Sequence, residues 1–67
     1  MNITINKNAI QVKENSTLKV ALAEAGINWQ IGMAVAVNNE VVRKSMWDTF
    51  ILKENDNIII INAVCGG

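Results

Sequence analysis

The stretch Lys53–Gly67, KENDNIIIINAVCGG, decides the fold. Lys53 to Asn57 is a run of charged and turn-forming residues, and four consecutive isoleucines follow it. A short apolar run after a turn signal reads as a strand with neighbours on both sides, predicted over 58–64. Side chains alternate along a strand, so Ile58 and Ile60 share one face, and Ile59, Ile61 and Ala63 share the other. Periodicity does not choose which face is inward. After the strand the chain sheds its side chains and runs through Cys65 to Gly66 and Gly67. Glycine has no Cβ, so its backbone fits a channel too narrow for other residues. A terminal glycine carboxylate is also unhindered. Small residues do gather at mobile chain ends, but this tail projects from a strongly apolar element.

Outward from that stretch, the rest of the chain supplies partners for the strand. MNITI (1–5) alternates, with Met1, Ile3 and Ile5 on one face. NKN (6–8) reads as a turn, and AIQV (9–12) resumes the alternation, which predicts an N-terminal hairpin. NST (15–17) offers helix N-cap residues. Leu18, Ala21, Leu22 and Ala25 then form one helical stripe, with Lys19 and Glu24 off it. Gly26 stands where a C-terminal stop belongs, so the helix is expected over 17–25. MAVAV (33–37) reads as a strand with Val35 and Val37 on one face. NNE (38–40) is a tight turn, and Val41 and Val42 begin a short partner strand. RKSMWDTF (43–50) fits no period; Trp47, Phe50 and Leu52 are expected to plug one edge of the core, tryptophan more often packing than binding. One helix on one face of a mixed sheet of four to five strands is an α+β domain.

Composition narrows the function. A chain of 67 residues is one domain, and a domain this small leaves little room for an internal pocket. Six basic residues balance six acidic ones, which leaves no electrostatic footprint for nucleic acid or an anionic membrane. No apolar run approaches the ~20 residues that span a bilayer, and the N-terminus resembles no signal peptide. A cytoplasmic protein is expected. There is no histidine and only one cysteine. A Ser-His-Asp or Cys-His arrangement within the chain is therefore impossible, and a zinc or redox site lacks ligands. The acidic residues read as a solvated surface. No catalytic residue and no metal site is expected in the chain itself.

The element order and the Gly-Gly terminus resemble the ubiquitin-like β-grasp proteins. Within them the likeness is to the bacterial ThiS/MoaD family of sulfur carriers, above all the thiamine branch. It covers the whole chain. Its most specific pieces are AVAVNNEVV (34–42), Trp47, LKENDNIIII (52–61) and the terminal GG. The family often has proline and arginine after the paired valines, where Arg43 and Lys44 stand here. Its usual Gly-Asp before the last strand appears as Asn55-Asp56, and asparagine is the next residue after glycine to tolerate left-handed geometry.

The resemblance implies a ubiquitin-like β-grasp domain over 1–67 with a flexible tail, 65–67. It implies a protein co-substrate with no bound cofactor. An adenylyltransferase of the ThiF type would thread Cys65, Gly66 and Gly67 and use ATP to adenylate the Gly67 carboxylate. A sulfur donor, a cysteine desulfurase or related enzyme, would supply sulfur for a thiocarboxylate. Thiazole synthase, ThiG, would receive it. By the same likeness, Ile58 and Ile60 face the core, while Ile59, Ile61 and Ala63 form a partner-docking patch. Exposed apolar patches on small domains mark such sites. Cys65 is read as a small residue tolerated where alanine is commoner, since nothing in the sequence would activate its thiol. The other functions weighed are the small subunit of molybdopterin synthase, a protein-conjugating modifier, and an interaction module with an inert tail.

Overall fold

The computed structural model describes residues 1–62, and 63–67 lie outside the described residues. The chain runs β1 (Asn2–Ile5), β2 (Asn8–Gln11), α1 (Leu18–Glu24), β3 (Met33–Val37), β4 (Glu40–Val41), a 3-10 turn (Lys44–Met46) and β5 (Asn57–Asn62). The five strands form one mixed sheet in the order β2-β1-β5-β3-β4. The isoleucine strand is therefore central, parallel to β1 and antiparallel to β3. Its expected neighbours on both sides are present.

Alternation sets the faces. Ile3, Ile5, Val35, Val37 and Ile58 are buried against α1 and its flanking loops. The helix contributes Leu18, Ala21 and Leu22 to this core. Ala25, read as the end of the stripe, is instead exposed at the C-cap, because the helix has already stopped there. The stop is a Schellman arrangement: Gly26 N–H donates to Ala23 O and Ile27 N–H to Leu22 O. Gly26 takes φ 76°, where a Cβ costs energy even though it would touch nothing.

A seven-residue helix is too short to hold itself in water. Its first amides are satisfied from outside. Leu18 N–H donates to Phe50 O and Lys19 N–H to Trp47 O, and the N-cap Thr17 Oγ1 accepts from Val20 N–H at 3.2 Å. The aperiodic segment thus anchors the helix. Trp47 and Leu52 are buried and Phe50 packs beside them, as expected. Trp47 Nε1 donates to Val42 O at 2.9 Å, and Trp29 meets its ring edge-on with Lys44 above. Trp47 is a core packing residue, while Trp29 lies against it half-exposed.

The acidic residues are not all a solvated surface: Asp56 is buried. Its carboxylate accepts from Lys53 N–H at 2.8 Å and from Asn38 Nδ2 at 2.9 Å. It ties the turn before β5 to the β3–β4 turn. Asn55 in that turn takes φ 69°, so the left-handed geometry survives without glycine. Among the described residues, no helix is long and apolar enough to cross a membrane.

Candidate docking face and tail

β5 fixes two faces. Ile58 is fully buried, and Ile60 packs partly buried against the core. Ile59 and Ile61 point to the other face, which no helix covers; Ile61 is 50% exposed. The inward and outward assignment of the isoleucines holds. Ala63, Cys65, Gly66 and Gly67 lie outside the described residues.

The outer face is wider than the strand. Register places Ala36 opposite both Ile59 and Val41, and Ala34 opposite Ile61. Residues paired across strands share a face, so Val41, Ala36 and Ile59 form one row across three strands. Ala34 and Ile61 form the next row. Val41 is 70% exposed. Ala36 is buried even on this outer side, because it is small and sits between two larger side chains. The signal for these additional residues was the alternation of MAVAV, which puts two alanines opposite the valine face. Toward β1 the patch ends in polar groups, where Thr4 Oγ1 donates to Asn57 Oδ1 at 2.8 Å.

This face offers apolar contact area. Among the described residues, no group of three or more His, Cys, Asp or Glu could hold a metal ion. What the arrangement can do is present a low apolar surface on the strand that carries the tail.

A five-stranded mixed sheet with one helix packed on one face is the ubiquitin-like β-grasp fold. The chain belongs to the ThiS family, whose model matches residues 2–67. It is 28% identical over its full length to the sulfur carrier protein ThiS of Escherichia coli (strain K12), covering all of both chains. A crystal structure of the thiamine biosynthesis protein ThiS from Geobacter metallireducens superposes with a TM-score of 0.82 at 23% identity, covering all of both chains. A solution structure of a thiamine biosynthesis protein from the same organism gives 0.74 at 22% identity, covering all of this chain and 88% of the other.

Proposed function

We propose that this chain is a sulfur carrier of thiamine biosynthesis, a protein co-substrate and not an enzyme, with Gly67 as the reacting residue. The observation that carries this function is the family match over residues 2–67, which runs through the terminal Gly66-Gly67. The printed names of the relatives favour the thiamine branch over the molybdenum one.

The chemistry follows from the carboxylate. A carboxylate is a poor electrophile, so an adenylyltransferase of the ThiF type activates Gly67 with ATP, releasing pyrophosphate. AMP is then a good leaving group. The terminal sulfur of a persulfide, supplied by a cysteine desulfurase or related donor, attacks the acyl carbon and expels AMP. The new bond joins the acyl carbon to sulfur. A thiol then attacks the donor's inner sulfur and cleaves the persulfide's own sulfur–sulfur bond. This forms a disulfide with the donor and releases the thiocarboxylate, which donates sulfur to thiazole synthase, ThiG. ATP and persulfide place this cycle in the cytoplasm. The chain supplies no acid, base or metal. It supplies the Gly67 carboxylate, the bare Gly66 and Cys65 that a channel admits, and the docking face built on Ile59, Ile61 and Ala63.

Intact-mass spectrometry tests this. Incubation with the adenylyltransferase, ATP and a persulfide donor is expected to exchange one oxygen for sulfur at Gly67. Deleting Gly67 abolishes the exchange without changing the fold. An unchanged mass with a demonstrably active adenylyltransferase refutes the function.

A further inference from the structure

The two edges of β5 are not equally covered. On one side β3 accompanies it to its end, with Met33 opposite Asn62. On the other side the β1 register stops at Ile5 opposite Ile58. The parallel ladder with β1 uses alternate residues: Thr4 N–H donates to the carbonyl of Asp56, just before β5, and Asn6 N–H to Ile58 O. The chain then turns away at Asn6, which takes φ 49°. Asn6 Oδ1 fills one more rung by accepting from Ile60 N–H at 2.9 Å. The next groups on this edge are the Ile60 carbonyl and the Asn62 amide. Beyond Asn6, among the described residues, no strand of the sheet lies beside them.

We propose that this short open edge of β5 is where the tail-receiving enzyme adds an extended segment of its own, pairing with Ile60 O and Asn62 N–H. The inference rests on the carrier function proposed above. An acceptor and a donor from residues two apart, about 6.6 Å along the strand, are the pattern an extended backbone matches. At this end of the sheet a groove of about 290 Å³ opens on the helix side of β5, reaching from Asn6 past Ile60 and Asn62 to Met33 of β3. The side-chain amides of Asn6 and Asn62 along it both donate and accept, which suits a main chain arriving at the edge. The edge leads directly into the residues that carry Gly67. A strand added here fixes the base of the tail, so the occupant is the protein that takes the tail and not a second copy of this chain.

Asn62→Pro is the sharp test. The Asn62 amide is on the open edge, where proline is tolerated because no ladder bond is lost. A second, synthetic chain carries an ester in place of the Ile61–Asn62 amide, which removes the same donor without a ring. Both are assayed with the adenylyltransferase, ATP and persulfide donor, beside the unmodified chain and Asn62→Ala. Conversion of the unmodified chain first establishes the carrier function independently. Both donor-lacking chains are then expected to unfold at nearly the unmodified midpoint and to raise KM roughly three- to tenfold, the worth of one hydrogen bond. Asn62→Ala, which keeps the backbone amide and loses only the side chain in the groove, is expected to raise KM less than either donor-lacking chain. An unchanged KM for the ester chain overturns the proposal, even if proline impairs the reaction. Concentration-dependent dimerisation that the proline abolishes also overturns it, since a second copy then occupies the edge.

Discussion

Ile58 and Ile61 stand three residues apart on one strand and face opposite ways, so truncating each to alanine separates folding from docking. Ile58 has no exposed surface. Its truncation leaves a cavity in the core and costs about 2–5 kcal/mol. A domain of this size holds roughly 3–10 kcal/mol in total, so Ile58→Ala approaches the unfolding threshold. Ile61 is half exposed. At ~0.8 kcal/mol per fully buried methylene, losing its side chain beyond Cβ costs the free chain only about 1 kcal/mol. The exposed half becomes buried when a partner covers the outer face, and its loss there is worth about another 1 kcal/mol. Urea unfolding gives the first quantity, and the KM of the adenylyltransferase for the carrier gives the second. Ile61→Ala is expected to unfold slightly earlier and to raise KM about fivefold. Ile58→Ala is expected to unfold far earlier. An unchanged KM for Ile61→Ala refutes the outer face as the docking surface. A larger stability loss at Ile61 than at Ile58 refutes the assignment of faces.

Two further substitutions test the frame that holds β5. Asp56→Ala deletes the acceptor for Lys53 N–H and Asn38 Nδ2. With charged hydrogen bonds worth about 1.5–3 kcal/mol each, it is expected to cost at least 2 kcal/mol in urea unfolding. Gly26→Ala meets no neighbour but forces a Cβ into the left-handed region, so a loss of about 1–2 kcal/mol is expected from backbone strain alone.

Most of this architecture was legible in the sequence, because its signals are local. Period two in MNITI and MAVAV, the Leu18-Ala21-Leu22 stripe and the glycine at 26 each name their element. The isoleucine run named a strand but not its inward face, since every position in it is apolar. Only the sheet order, with a helix on one side, separates Ile58 from Ile59. Val41 and Ala36 joined the outer apolar face through cross-strand register, which no local pattern carries. Asp56 escaped notice for a related reason. A carboxylate in a turn reads as solvated until the turn it must bridge, at Asn38, is brought beside it. The segment 43–50 has no period because its job is to supply Phe50 O and Trp47 O to the helix, and backbone carbonyls leave no trace in side-chain pattern.

The asparagines in the turns make a final point about how the tail-bearing strand is held. Asn6, Asn38, Asn39 and Asn55 all take positive φ, as does Lys7. Glycine would adopt these conformations more easily. At two of the positions, however, the side chain completes the β5 ladder. Asn38 Oδ1 accepts from Asn57 N–H at 3.0 Å at the start of the strand, and Asn6 Oδ1 accepts from Ile60 N–H further on. One turn asparagine from each hairpin thus clamps β5. The same substitution is therefore expected to be clearly less favourable at Asn38 and Asn6 than at their neighbours. Asn39→Gly and Lys7→Gly relieve the backbone and lose no bond to β5, so each is expected to stabilise by up to about 1 kcal/mol. Asn38→Gly loses its bonds to Asn57 and Asp56, and Asn6→Gly loses its bond to Ile60. At about 1 kcal/mol per bond, Asn38→Gly is expected to destabilise by about 1 kcal/mol net, and Asn6→Gly to come out near neutral, about 1 kcal/mol less favourable than Lys7→Gly. Urea midpoints of the four variants decide it. Stabilisation at all four would mean that φ alone selected these residues and that the side-chain rungs contribute nothing.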